Sequence, residues 1–382
     1  INTKLMHEMS SIINDAKNNV TNKEPYILSM KDERMVPEKR DKPRIIDGCP
    51  IQLTIPLNQY TRSFAAAFQS SRKGLGHSVG IDRNSMEWSQ LAWGFSSCSD
   101  KGLSIDFRSL GPTMEGTVLE MVHELICRWY LYHGANEEET TIRRNLLKHN
   151  EHCEEVVWDK LFQNHNGSPS GSPLTVLVNS IAVQYYMAMA WYELVGDLVS
   201  YDNIFTNVYG DDFIIAIPPE FQEKFNGQTL MEYFLKFNIS ITIADKKGEV
   251  QKMQDFNQIS YLKSYFEPHP ERKPLYMPRF PNDIIEDALC WTKNEEIELQ
   301  KVGMRAIVEM AYGSGKEYYT GLVEICQKAW LKKGETFTCK SWEDLDRFIC
   351  EGERGLGTVS GNIAPLDIKG NQISTKVTSV VK

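Results

Sequence analysis

The sequence predicts an α+β chain with an antiparallel sheet flanked by helices, and three observations carry that prediction. Two short apolar, β-branched runs, 204–208 and 213–217, flank Tyr209-Gly210-Asp211-Asp212 and read as a β-hairpin. Residues 103–108, LSIDFR, alternate: Leu103, Ile105 and Phe107 share one face of a strand, Ser104 and Asp106 the other. Long helical patterns lie between these strands, from about Met114 to Tyr132 and from Ser172 to about Leu194.

The elements follow in chain order. Residues 1–30 are mixed and polar. Residues 31–44, KDERMVPEKRDKPR, hold six basic and four acidic side chains, and Pro37 and Pro43 make them an extended, stiffened loop. The run Ile45 to Ile55 reads as a strand and 57–70 as a helix. Residues 135–165 are charged and His-rich, with the look of an exposed insertion. His149, His152, Cys153 and His165 lie there in no standard zinc spacing. In NGSPSGSPLTVLVNS (166–180), a Gly/Ser loop leads to Ser172 as N-cap and Pro173 at the first helical position. Thr175 and Asn179, four apart, share a face near that helix's start. A helix is expected at 229–237, strands at 238–243 and 258–266, and helices from about Pro281 to Trp330. The last thirty residues read as a linker or disordered tail.

Bulk properties narrow the function classes. The 382 residues are 24% charged and 41% hydrophobic, ordinary for a globular protein. No apolar stretch approaches the roughly 18 residues of a membrane span. The chain starts without Met or a signal-peptide hydrophobic region and reads as a processed product, a fragment or a piece of a polyprotein. Its eight scattered cysteines read as free thiols. A formal net charge of −9 argues against a nonspecific nucleic-acid coat, but leaves room for an enzyme with a local basic channel. Two adjacent carboxylates at a hairpin tip, Asp211 and Asp212, are costly in an apolar core and well suited to a hard divalent cation. An ordinary surface turn is the bland alternative.

The order of these parts resembles the RNA-dependent RNA polymerases of the picornavirus-like order, particularly the insect-virus relatives. The resemblance spans roughly residues 25–320. It is carried by KDER…EK…KPR at 31–44, VGIDRNSMEW at 79–88, GSPSGSPLTVLVNS at 167–180, YGDD at 209–212, ITIADK at 241–246 and YLKSYF at 261–266. It implies a right-hand polymerase of fingers, palm and thumb with an antiparallel palm sheet. The implied division is partial fingers with the basic NTP loop at 1–63, palm at 64–138 and 167–266, a fingers insertion at 139–166, thumb at 267–355 and a tail at 356–382.

The resemblance also implies roles. Asp106 and Asp211 match the carboxylates that hold two Mg²⁺ ions, with Mn²⁺ as a substitute, and Asp212 the helper carboxylate beside them. Lys31, Lys39 and Arg44, with Arg34 a weaker match, resemble the loop that grips the incoming triphosphate. Ser170 and Gly171 resemble the loop that positions template and substrate, and Thr175 and Asn179 the pair that senses the ribose. Lys246, with Lys247 a close competitor, resembles the general acid that protonates pyrophosphate, and Lys263 the primer grip. The implied partners are RNA template and primer, NTPs, a protein primer and other viral replication proteins, in replication complexes of the host cytoplasm.

Two departures stand out. Family members carry a second Asp five positions after the one matched by Asp106; here that residue is Gly111. They also have a longer stretch before the basic loop, so the chain reads as N-terminally incomplete. Two other function classes compete. A reverse transcriptase would place a bulky aromatic at Gly111 and would lack the Ser-Gly…Thr…Asn helix; NTP against dNTP use separates the two. A polymerase-like RNA-binding scaffold would bind RNA without Mg²⁺-dependent turnover.

Overall fold

The computed structural model describes residues 2–21, 23–33, 41, 43–243, 251–292 and 295–351. Its first element is a helix, Thr3–Lys17, whose N-cap Asn2 accepts a hydrogen bond from the Leu5 amide. It buries Ile12 and Ala16, a stripe too narrow to show through the polar composition. Strands β1 (Tyr26–Met30) and β2 (Ile45–Gly48) pair antiparallel, and the Lys31 amide donates to the Arg44 carbonyl at 2.8 Å. The basic segment is therefore the connection of a hairpin.

The strand expected through Ile55 stops at Gly48, and a helix runs from Ile51 to Ser70. Pro50, at φ −58° and ψ 139°, forms its N-cap, and Leu53, Leu57, Thr61, Phe64 and Phe68 recur at helical spacing on the buried face. A short apolar run does not by itself separate strand from helix. A further helix, Met86–Cys98, starts at Ser85, whose hydroxyl accepts from the Glu87 amide.

Strand β3 (Lys101–Arg108) is the centre of the principal sheet. After the helix Gly116–Tyr132 comes the helix Glu137–Glu151, in the segment expected to be exposed. It is packed instead. Ile142, Leu146 and Leu147 are buried, and Arg143 lies 3.5 Å over the Tyr130 ring while donating to the Tyr60 carbonyl. Charged residues in its first and last turns hid that apolar stripe. The hairpin β4 (Glu154–Val157) and β5 (Lys160–Gln163) keeps the exposed character, with Trp158 93% exposed. Strands β2, β1, β4 and β5 form one sheet in that order.

The next helix is Thr175–Val195, starting later than Ser172 and Pro173 suggest. The Ser172 hydroxyl is engaged in the preceding turn, accepting from the Asn150 side chain at 3.1 Å and the Leu174 amide at 3.4 Å. Strands β6 (Thr206–Tyr209) and β7 (Asp212–Ala216) form the foreseen hairpin, and β8 (Ser240–Ile243) and the short β9 (Gln254–Asp255) join β3. Every pairing in this sheet is antiparallel. Both faces of β7 are buried. Phe213 and Ile215 join the large core with Leu103, Ile105 and Phe107, and Ile214 and Ala216 pack with Trp88, Ala92 and Phe95 of the helix Met86–Cys98.

The single strand expected at 258–266 is a tight hairpin, β10 (Ser260–Tyr261) and β11 (Ser264–Pro268), extended by β12 (Tyr276–Arg279). Helices Asn282–Leu289, Ile297–Met310, Lys316–Leu331 and Trp342–Glu351 follow and share a separate core built on Ile285, Val308, Tyr312, Tyr319, Trp330 and Trp342. Among the described residues no helix is long and apolar enough to cross a membrane. The tail expected at 356–382 lies outside the described residues.

Candidate active site

The register of β3 decides where the carboxylates fall. Asp106 lies opposite Asp212 of β7 on one side and Thr242 of β8 on the other. Directly opposed residues of antiparallel strands have Cα atoms about 4.5–5.5 Å apart. The Phe107 amide donates to the Asp211 carbonyl at 3.3 Å, which ties the turn to the end of β3. Gly210 opens that two-residue turn at φ +61°, a conformation that suits glycine at the first turn position of a tight hairpin. Its amide donates to the Ser180 hydroxyl at 2.9 Å, and that hydroxyl in turn donates to the Val176 carbonyl at 2.6 Å. The helix Thr175–Val195 therefore holds the Asp-Asp tip from below. Asp211 is exposed, while Asp106 and Asp212 are half-buried. The Thr242 hydroxyl lies 3.3 Å from Asp106 Oδ2. Thus one end of the sheet gathers Asp106, Asp211 and Asp212. An all-oxygen, anionic donor set on rigid strands fits a hard divalent cation.

The Ser-Gly loop is fastened beside this end. The Ser170 amide donates to Asp47 Oδ2 at 2.7 Å, and the Asp47 amide donates to the Ser170 hydroxyl at 3.0 Å. Gly171 is pressed against the same residue; a Cβ there would lie 1.9 Å from the Asp47 carbonyl oxygen, so only glycine fits. The loop thus docks on β2, the strand leaving the basic segment. The Thr175 hydroxyl donates back into the loop, with the Pro169 carbonyl at 2.7 Å and the Ser172 carbonyl at 2.8 Å. The Asn179 side-chain oxygen is buried and has no partner. An unpaired buried acceptor is costly, and this one sits one turn along the helix from Thr175.

Gly111 belongs to a short helical turn, Leu110–Thr113, entered through Ser109 at φ +57°. Its carbonyl accepts from the Ser168 amide at 2.9 Å, and a Cβ on it would meet the Ser168 carbonyl at 3.2 Å. A side chain at Gly111 would therefore press on the Ser-Gly loop, which would have to give by a few tenths of an ångström.

The basic and primer-side candidates divide. Lys31 and Arg44 flank Glu33, at 3.3 Å and 2.7 Å. Desolvation pushes the Glu33 carboxyl up, and the bonds and charges of Lys31 and Arg44 together outweigh it, holding it below the usual range. Lys263 is exposed at the β10–β11 turn, where Leu262 (φ +50°) and Lys263 (φ +63°) both adopt left-handed backbone. Arg83 braces that turn, donating to the Leu262 carbonyl at 2.8 Å with its guanidinium 4.7 Å from the Phe280 ring centroid. Lys39 and Lys246, and the alternatives Arg34 and Lys247, lie outside the described residues.

Sequence reading missed Asp47, Arg83, Ser180 and Thr242. Arg83, Ser180 and Thr242 lie within matched motifs, which was the available signal; Asp47 lies in none and acts on a partner more than a hundred positions away.

A fold with a central Asp-bearing strand, an Asp-Asp hairpin beside it and a helix-borne Ser-Gly loop defines a right-hand polymerase palm. The model of the viral RNA-dependent RNA polymerase family matches residues 2–329, and the chain belongs to that family. It is 27% identical over 313 residues to the genome polyprotein of Deformed wing virus, covering 80% of this chain and 11% of that polyprotein. It is 23% identical over 372 residues to the replicase polyprotein of Cricket paralysis virus, covering 89% of this chain and 21% of that one. The chain therefore spans a minor part of these relatives' length. Among solved structures it is similar to the Sicinivirus 3Dpol RNA-dependent RNA polymerase, with a TM-score of 0.75 at 17% identity, covering 90% of this chain and 70% of that one. That likeness gives the right-hand polymerase fold. Members of the family use divalent metal ions.

Proposed function

We propose that this chain carries out template-directed RNA synthesis, transferring nucleotides from NTPs to an RNA 3′ end during viral genome replication. The observation that carries this reading is the register that sets Asp106 opposite Asp212 with Asp211 at the adjoining tip. Asp106 and Asp211, with Asp212 beside them, would hold two Mg²⁺ ions or substituting Mn²⁺. When bound, such a pair stabilises the attacking 3′-oxygen and the departing pyrophosphate of an in-line displacement.

The remaining roles belong to the chain's own side chains. Lys31, Lys39 and Arg44 neutralise the triphosphate, with Glu33 holding Lys31 and Arg44 in place and competing with the phosphates for them. Thr175 spends its one hydroxyl proton on the loop carbonyls, so it shapes the Ser170–Gly171 loop and faces the nucleotide only as an acceptor. Asn179 offers its unpaired oxygen to the ribose 2′-hydroxyl, which makes it the main sugar-sensing group where Gly111 supplies no carboxylate. Lys246 delivers the proton to pyrophosphate, and Lys263 meets the primer-strand phosphates. The domain division is that of fingers with the basic NTP loop (1–63), palm (64–138 and 167–266), fingers insertion (139–166) and thumb (267–355). RNA and NTPs are the direct partners, with a protein primer and other replication proteins in complexes of the host cytoplasm.

Primer extension on a primed RNA template tests the reading. Asp211→Ala removes an exposed carboxylate, so it should abolish Mg²⁺-dependent extension while the chain stays folded by circular dichroism. Wild-type RNA binding without extension would identify a scaffold, and extension by the variant would overturn the metal assignment.

A further inference from the structure

A second set of ligand-type side chains lies away from the palm carboxylates, between the helices Gly116–Tyr132 and Glu137–Glu151. Glu120, Glu151 and His152 bring their ligand atoms within 4.8 Å of one another. They line a cavity of about 400 Å³ together with His123. His123 is only 2% exposed; its Nδ1 lies 2.8 Å from Glu151 Oε1, and its Nε2 is buried without a partner. A second ring adjoins His152, with its Nδ1 3.3 Å from His165 Nδ1; a proton on either nitrogen makes this a hydrogen bond that orients the His152 ring. His152 is also the C-cap of the helix Glu137–Glu151, whose negative dipole end favours a cation.

The grouping His269, Asp346 and Cys350 in the C-terminal core is a useful contrast. There His269 Nε2 donates to Asp346 at 2.6 Å, and its Nδ1 accepts from the amides of Glu271 and Arg272. Tyr312 and Arg272 take up the rest of Asp346, and burial pushes the Cys350 thiol up to about 11. That set is closed by its own hydrogen bonds and needs no ion. Around Glu120 the Nε2 of the buried His123 stays unpaired, while the same cavity wall also carries Arg144 and Lys148.

We propose that Glu120, Glu151 and His152 bind a divalent transition ion of the zinc class, with His123 and His165 orienting its ligands. Zinc–ligand bonds of about 2.0–2.2 Å place tetrahedral ligand atoms roughly 3.3 Å apart, a separation these side chains reach by small rotations. An imidazole among the donors favours such an ion over Mg²⁺ or Ca²⁺, which prefer oxygen alone. Secondary hydrogen bonds to each ligand are what such sites use to fix orientation. The ion would staple two helices at the point where Asn150, one residue before Glu151, holds Ser172 at the foot of the Ser-Gly loop. Its role is structural.

The test uses the full chain carrying Asp211→Asn, stripped with chelator, so that the palm contributes little metal binding. Titration with Co²⁺ should show a single equivalent with visible absorption bands that Zn²⁺ displaces, and Zn²⁺ should raise the melting temperature. Glu120 and His152 are exposed, so Glu120→Gln with His152→Asn should keep the metal-free melting temperature, weaken Co²⁺ binding by about 10-fold or more and lose the Zn²⁺-induced rise. Glu124→Gln, in the same cavity, should leave binding unchanged. Absence of Co²⁺ bands, full binding by the double variant, or equal loss in Glu124→Gln would overturn the site. None of these outcomes depends on polymerase activity.

Discussion

Asp47 and Ser170 hold each other twice, backbone to side chain in both directions, and so join the end of the basic hairpin to the loop beside the palm carboxylates. The charged acceptor makes the Ser170 amide bond the stronger of the two. Asp47→Ala and Ser170→Ala should each cost about 1–2 kcal/mol of stability. In a double-mutant cycle the pair should be non-additive by about 1 kcal/mol, and both singles should raise KM for NTP more than they lower RNA affinity. Additive effects would show that the two residues act separately. His77 gives a second residue-scale prediction. It is buried against Phe68, its Nε2 at 3.0 Å from the Phe68 carbonyl and its Nδ1 accepting from the Val79 amide, so both nitrogens are satisfied in the neutral ring. Burial lowers its pKa from 6.5 to about 4, with Arg72 adding to the effect and the Phe68 bond opposing it. Between those values the unfolded chain takes up a proton that the folded chain refuses, so stability falls as pH falls. Lowering the pH from 7 to 5 should cost about 2 kcal/mol through this group. Urea unfolding of wild type and His77→Gln at the two pH values checks it: the loss should shrink in the variant.

Elements were legible where the signal was local. The Asp-Asp hairpin declares itself through alternation and a Gly-Asp tip, and β3 through a clean period of two. The helices Thr3–Lys17 and Met86–Cys98 did not, because the first buries a narrow stripe and the second opens inside the turn-rich motif at 79–88. The break in the strand expected at 258–266 was hidden for a different reason. Its turn uses Leu262 and Lys263 where glycine or asparagine is usual, and the brace comes from Arg83, far away in sequence. The same geometry yields a prediction with opposite signs for fold and function. Lys263→Gly removes a left-handed backbone penalty and should raise stability by roughly 0.5–1 kcal/mol. It also deletes the cation presented to the primer, so primer affinity should fall while KM for NTP holds. Arg83→Met should lower both stability and primer affinity by releasing the turn. A Lys263→Gly chain that is less stable would mean the turn is not strained, and unchanged primer affinity would remove Lys263 from the primer path.

Across the whole molecule, a formal charge of −9 coexists with cations placed locally around the candidate site. Lys31 and Arg44 bracket the basic hairpin and Lys263 caps the β10–β11 turn. Net charge therefore misstates the field an RNA strand would meet, since charges beyond about 8–10 Å are largely screened at physiological salt. Each phosphate neutralised on a single strand contributes a slope of about −0.7 in log affinity against log salt. A strand held at about five phosphates should lose roughly 100-fold in affinity between about 50 and 200 mM salt, despite the acidic overall charge. Lys263→Ala should make that slope shallower by about one phosphate's worth. Lys39→Ala with Arg44→Ala should leave the slope nearly intact and raise KM for NTP, because those cations are assigned to the triphosphate. Fluorescence anisotropy of a labelled RNA across a salt series, beside single-nucleotide incorporation kinetics, separates the two effects. Equal loss of RNA affinity and NTP use in the Lys39/Arg44 variant would place the basic hairpin on the RNA path, and a flat salt series would deny the local channel altogether.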